Sequence, residues 1–160
     1  MEAIRAEVLA WCTRTELPAG SVVAAYEPLR TEPGSTELLA ALTAAGFAVI
    51  VPRTQPDRDL DWTAWPACDR LLGLAAIGDA ALVLVPAFAV SRAGDRLGRG
   101  GGSYDRALAR VPAGVAVAAL IYPDELLDEV PTDPWDRPVT AAVSADGWLD
   151  FTPGGRRNSP

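Results

Sequence analysis

The sequence predicts an α/β fold: a single three-layer α/β/α domain with a mostly parallel, Rossmann-like sheet. Short runs rich in Val, Ile and Ala alternate with an amphipathic helical segment in strand, helix, strand order, the pattern that parallel sheets produce. The 160 residues match the size of one domain. No linker or internal repeat divides them. The domain is expected over residues 1–151, with 152–160 a disordered polar tail.

Ile4, Val8 and Trp11 fall on one stripe of a helix over Glu2–Trp11. Pro18-Ala19-Gly20 turns the chain into a buried strand, Ser21–Ala25. Ser35 is placed to cap a helix over Thr36–Ala45, with Leu38, Leu39 and Leu42 facing inward and Gly46 ending it in the left-handed conformation. A second strand, Phe47–Val51, is expected to stop at Pro52. Gln55–Arg70 is polar and Trp-containing, a loop or a hairpin around Leu60-Asp61-Trp62. Ala80–Val85 reads as the central strand. A long Gly/Arg loop over Arg92–Gly102, a short helix over Tyr104–Arg110 and a buried strand over Val115–Ile121 follow. Val139–Val143 and Trp148–Phe151 are expected to pair at the end of the domain.

Composition removes several chemistries. The longest apolar run, Ala80–Val90, has eleven residues and contains Pro86, well short of the ~20 of a spanning helix. The first twenty residues carry charges throughout and lack the form of a secretory signal, so a cytoplasmic location is expected. A net charge of −7 opposes binding to nucleic acid or an anionic membrane. All fourteen basic residues are Arg and there is no His. A Walker lysine, a Schiff base, a Ser-His-Asp triad and every His-containing metal site are therefore excluded. Cys12 and Cys68 read as buried free thiols of a reducing compartment, with no chemistry assigned.

The chemistry concentrates in Gly98-Arg99-Gly100-Gly101-Gly102-Ser103, just ahead of the helix near Tyr104. Four glycines in five positions let successive backbone N–H groups converge on one point, a geometry that favours an anion. Arg96, Arg99 and Arg106 offer guanidinium forks for phosphate oxygens, and Asp105 a carboxylate for a magnesium ion shared with phosphate. The spacing is neither that of a P-loop nor that of the dinucleotide fingerprint. The rival reading is a plain Gly-rich surface loop.

RLGRGGGSYDRAL resembles the signature of the 5-formyltetrahydrofolate cyclo-ligase (5,10-methenyltetrahydrofolate synthetase) family, usually RLGRGGGYYDR or RLGRGKGYYDR. Other pieces fall in the family's order: Tyr26, Glu32, Pro52, Pro86-Ala87-Phe88-Ala89-Val90, Pro123-Asp124-Glu125-Leu126 and Asp136-Arg137-Pro138-Val139. The resemblance implies an ATP- and Mg2+-dependent ring closure of 5-formyltetrahydrofolate to 5,10-methenyltetrahydrofolate, with ADP and phosphate released. It implies a phosphate and substrate loop of Gly98, Arg99, Gly100, Gly101, Gly102, Ser103 and Tyr104, flanked by Arg96, Asp105 and Arg106. Arg99 and Tyr104 become the catalytic candidates, Tyr26, Glu32 and Tyr104 the folate contacts, and Asp105 and Asp136 the magnesium ligands. Each has a bland alternative: Glu32 as a solvated turn residue, Asp136 as an organiser of its turn, Tyr104 as a packed ring.

The sequence departs from the family's pattern at four places. It lacks the Lys-x-x-Leu-Arg element that usually contacts ATP, and Leu72-Gly73-Leu74 replaces a pocket-lining Glu-Pro segment. Trp135 and Tyr122 stand where His or a polar residue is common, and Ser103 replaces an aromatic. A second reading follows, a diverged member that keeps the anion loop but acts on another ligand or is non-catalytic. Whether Trp62, Trp65 and Trp135 rebuild the pocket wall is left open, as is the oligomeric state.

Overall fold

The computed structural model describes residues 1–66 and 68–151; the expected tail, 152–160, lies outside the described residues. Helix α1 (Glu2–Arg14) leads to β1 (Val22–Ala24), α2 (Thr36–Ala44), β2 (Ala48–Thr54) and β3 (Leu60–Ala64). A 3₁₀ turn (Leu74–Asp79) precedes β4 (Ala80–Pro86), followed by β5 (Ala89–Ser91), β6 (Arg96–Leu97) and α3 (Ser103–Leu108). After them come β7 (Ala116–Leu120), β8 (Leu126–Leu127), β9 (Ala141–Ser144) and β10 (Gly147–Asp150).

The main sheet has the order β10-β9-β7-β4-β1-β2-β3. Its interior pairs are parallel, and only β3 and β10, the two edges, run antiparallel to their neighbours. Strand β4 sits at the centre, as its uninterrupted apolar run demands. Its side chains alternate between two cores. Leu82 and Leu84 join Ile4 and Val8 of α1 and Leu38, Leu39 and Leu42 of α2, while Val83 and Val85 join Ile77 of the 3₁₀ turn and Ala107 and Leu108 of α3. Helices therefore cover both faces, and the three-layer expectation holds.

Several local expectations hold for the stated reasons. Ser35 Oγ accepts the Leu38 N–H at 3.2 Å, and Gly46 takes φ +91° after α2. Others are corrected. Cys12, not Trp11, completes the buried stripe of α1, because Ile4, Val8 and Cys12 repeat every four residues. Trp11 instead stacks on Trp148 of β10, ring centroids 4.8 Å apart. Cys68 is exposed rather than buried; its thiol pKa is lowered by the hydrogen bond with Thr63.

Strand β2 does not stop at Pro52 but runs on to Thr54. The Trp65 N–H donates to the Val49 carbonyl, so antiparallel alternation leaves the Pro52–Trp62 pair without mutual bonds. The Pro52 nitrogen thus points away from β3, past the end of β1, whose last partner on β2 is Ile50. No ladder bond is lost there. The 92–102 loop is corrected as well. Arg96 and Leu97 form β6, paired with β5, which also pairs with β8 to make a second, three-stranded sheet.

The turn between β2 and β3 is tied to the chain just beyond α3. Arg110 donates to both carboxylate oxygens of Asp59, at 2.8 and 2.6 Å, and this guanidinium holds the Asp59 carboxyl down to about 2. Among the described residues no helix is long and apolar enough to cross a membrane.

Candidate active site

Strand β1 lies between β2, which follows it through α2, and β4, which comes later in the chain on its other side. That reversal opens a crevice at the carboxyl ends of the parallel strands, the usual ligand position in such sheets. A cavity of about 380 Å³ lies there. It is lined by Pro52 and Thr54 of β2, Leu60 of β3, Pro86 at the end of β4 with Ala87 and Phe88 beyond it, Glu32 and the 96–105 segment. An adjoining groove shares Gly101, Gly102, Asp105 and Asp136 with the cavity and adds Arg106, Trp135 and Arg137.

The glycine loop joins β6 to α3. Gly100 and Gly102 have φ of +81° and +68°, where a Cβ would be strained. No backbone N–H from residue 99 to residue 105 donates to the protein among the described residues. The residues that carry these donors line the cavity, and free backbone N–H groups at a cavity suit an anion. Helix α3 has only six residues, so the loop's own N–H groups supply the positive potential, where the sequence suggested a helix end.

Arg96 is not a solvent-facing fork in that loop. Its side chain is 5% exposed, donating from Nη1 to the Pro86 carbonyl at 3.2 Å, with Nη2 3.7 Å from Asp105 Oδ1. The guanidinium lies over the Tyr104 ring, 5.4 Å from its centroid. A Cβ on residue 98 would approach Arg96 Nη1 to 2.6 Å, so only glycine fits there. The motif thus packs on itself: Arg96 holds the β4 exit, Asp105 and Tyr104 together under the loop.

Glu32 sits in the turn after Leu29, is partly buried and lines the cavity. Its Oε2 accepts the Leu29 N–H at 2.9 Å and its Oε1 accepts Arg99 Nη2 at 3.2 Å. Arg99 also lies over the exposed Phe88 ring. Tyr26 does not line the cavity; it is buried, and its hydroxyl donates to the Pro33 carbonyl. It supports the loop that carries Glu32, and burial raises its pKa. Tyr104 does line the cavity, and its buried hydroxyl has no partner among the described residues. Burial pushes that phenol's pKa up, against the opposing effect of Arg96, which favours the neutral hydroxyl, a hydrogen-bond donor.

Asp105 and Asp136 both stand on the wall shared by cavity and groove. Asp105 Oδ1 accepts the Arg137 N–H at 3.0 Å; Asp136 Oδ2 accepts the Asp133 N–H at 2.7 Å, ordering its own turn. One oxygen of each carboxylate remains without a protein hydrogen bond among the described residues. No cluster of three or more ligating side chains occurs among the described residues. Two carboxylates beside an anion site nevertheless suit Mg2+, which keeps waters and takes phosphate oxygens for the rest. Arg106 faces the groove and donates to the Gly101 carbonyl at 3.4 Å.

The three tryptophans do not rebuild the cavity wall. Trp62 is buried in the core, Trp65 packs on the opposite face, and Trp135 lines the adjoining groove. The aromatic surface in the cavity is Phe88, with Tyr104. The sequence signal for Phe88 was the break of an apolar run by Pro86, which puts the residue beyond the strand and on the rim.

Comparisons with known proteins agree with this geometry. Residues 11–145 match the model of the 5-formyltetrahydrofolate cyclo-ligase family. A Mycolicibacterium smegmatis protein named 5-formyltetrahydrofolate cyclo-ligase is 37% identical over 144 residues, covering 79% of this chain and 74% of its own. The fold is that of a 5,10-methenyltetrahydrofolate synthetase from Mycoplasma pneumoniae, with TM-score 0.74, 20% identity and coverage of 89% and 82% of the two chains. It is equally that of the Aquifex aeolicus synthetase, with TM-score 0.74, 23% identity and coverage of 99% and 84%. A signature loop folded against its own arginine at the mouth of this crevice, and a family match over most of the chain, lead to one conclusion: the chain belongs to the 5-formyltetrahydrofolate cyclo-ligase family, a family of carbon-nitrogen ligases.

Proposed function

We propose that this protein closes the ring of 5-formyltetrahydrofolate to give 5,10-methenyltetrahydrofolate, consuming ATP with Mg2+ and releasing ADP and phosphate. The observation that carries this reading is the run of N–H donors over residues 99–105 that have no partner among the described residues, on a segment lining a cavity that Glu32 also lines. The loop donors suit a phosphoryl group and the carboxylate suits the N–H edge of a folate ring.

In this scheme the formyl oxygen attacks the γ-phosphorus, an O–P bond forms and ADP leaves. The neighbouring N10 then attacks the formyl carbon; the C–O bond breaks, phosphate departs with its electron pair and the N10 proton passes to solvent. No step needs a covalent protein nucleophile, which fits a chain without His or Lys. The loop N–H groups hold the transferring phosphoryl, and Arg99 adds the mobile positive charge. Tyr104 donates its unpartnered hydroxyl toward the reacting oxygen, Glu32 orients the ring, and Arg96 keeps loop and carboxylate in register. Asp105 and Asp136 would hold the magnesium ion, which screens phosphate charge when bound.

The test is the absorbance of the methenyl product when the purified full chain meets 5-formyltetrahydrofolate, ATP and Mg2+. Turnover that needs all three is expected. A folded preparation with no turnover overturns the proposal and leaves a family member acting on another ligand.

A further inference from the structure

Arg99, Glu32 and Phe88 make an arrangement that the reaction itself does not explain. Glu32 is held in place, and so is the backbone at Phe88. Glu32 is 12% exposed at its side chain and anchored by the Leu29 N–H; the Phe88 N–H donates to the Leu97 carbonyl at 2.8 Å while its ring, on a residue 50% exposed, faces the cavity. Arg99, 58% exposed at its side chain, is the group free to move. Its guanidinium reaches the Glu32 carboxylate at 3.2 Å and lies 5.8 Å from the Phe88 ring centroid. A flat N–C–N group that donates an N–H to a carboxylate and sits beside an aromatic ring is what the amino-pyrimidine edge of a reduced pterin also is.

We propose that Arg99 occupies, in the ligand-free protein, the seat of the substrate's amino-pyrimidine edge, and that the substrate displaces it. The substrate's edge then donates to Glu32, its ring lies against Phe88, and Arg99 swings toward Gly100–Gly102, where the phosphoryl group is handled. This inference rests on the folate reading above. It assigns Phe88 as a binding residue for the ring, restoring the aromatic contact that Ser103 lacks. It also couples the two substrates: nucleotide phosphate draws Arg99 away and so favours folate binding, and the reverse holds to the same degree.

Calorimetric titration of 5-formyltetrahydrofolate without nucleotide, into wild type, Arg99→Ala, Phe88→Ala and Phe88→Tyr, tests it. Arg99→Ala removes the occupant and should bind folate about two- to fivefold more tightly, as expected for loss of one exposed ion pair, while its turnover falls. Phe88→Ala should bind about tenfold more weakly and Phe88→Tyr close to wild type. Both side chains are well exposed, so unchanged melting temperatures are expected alongside. If wild type binds but Arg99→Ala binds equally or more weakly, Arg99 is a contact and not an occupant. If Phe88→Ala binds like wild type, the ring does not lie there. Either result overturns the proposal and leaves the activity standing. A wild type that binds no folate, with or without nucleotide, overturns the functional reading and this inference with it.

Discussion

The guanidinium of Arg96 lies beside Gly98, with Nη1 only 2.6 Å from where a Cβ would be. The contact is between a buried cation and backbone, not with a flexible surface tip, because Arg96 is pinned to the Pro86 carbonyl and Asp105. Gly98→Ala must displace either the loop or the guanidinium. Reacting groups misplaced by ~1 Å lose rate by about 10²-fold, and a fall of that order in kcat/KM is expected in the methenyl absorbance assay. The cores on both faces of the sheet do not touch this position, so the far-ultraviolet circular dichroism should be unchanged. A Gly98→Ala protein with near-normal kcat/KM would show that the Arg96 contact is dispensable.

The Asp59–Arg110 pair gives the fold an acid-sensitive fastening. Its carboxyl is held at about 2 in the folded chain, below the ordinary 3.8. A depressed folded pKa stabilises above the unfolded value, and that stabilisation is lost as pH falls from about 4 through about 2. Asp59→Asn should therefore lower the melting temperature at pH 7 by a few degrees, corresponding to about 1 kcal/mol for a bidentate, partly exposed pair. The gap between variant and wild type should shrink on acidification and close only below about pH 2. Parallel melting curves at all pH values would mean the pair contributes nothing to stability.

How far such features were legible follows from the range of the interactions. Elements fixed by local pattern were readable: the Leu38, Leu39 and Leu42 stripe, its Ser35 cap, and the apolar run of β4 announce themselves within ten residues. Pro52 was misread because its tolerance depends on where β1 ends, a fact of register and not of local propensity. Arg96 looked like a loop fork because a two-residue strand has no periodicity to detect, and its burial depends on Pro86 and Asp105 arriving beside it. The glycine motif announced the family, and its residues line the cavity; it could not announce that Arg99 reaches across to Glu32, 67 residues away in sequence. Asp59–Arg110 is likewise silent in sequence, since neither residue stands out among twenty-one acids and fourteen arginines.

Asp105 accepts the Arg137 N–H and pairs with Arg96, and in the proposed function it would also hold magnesium. Asp105→Asn keeps an oxygen to accept the Arg137 N–H but removes the charge that a magnesium ion needs. Turnover should drop by about 10²-fold, and the Mg2+ concentration giving half-maximal rate should rise, with partial recovery at high Mg2+. A chelator should stop the wild-type reaction outright. If the half-maximal Mg2+ concentration stays put while the rate falls, Asp105 acts by holding Arg96 and not the metal.

Tyr104 offers the clearest opposition between stability and function. Its hydroxyl is buried and without a partner among the described residues, a condition that costs about 1–3 kcal/mol of folding free energy. Tyr104→Phe removes that oxygen while leaving the ring beneath Arg96. The variant should melt higher, by about 2–4 °C for each kcal/mol recovered. If the hydroxyl donates to the reacting oxygen, kcat should fall by about tenfold with the folate KM little changed, since a bond made mainly in the transition state is lost. Thermal melts and turnover on the same preparation read both effects. A lower melting temperature would show that the hydroxyl is satisfied in the folded chain. A higher one with unaltered kcat would make Tyr104 a packed ring and shift the proton donation elsewhere in the cavity.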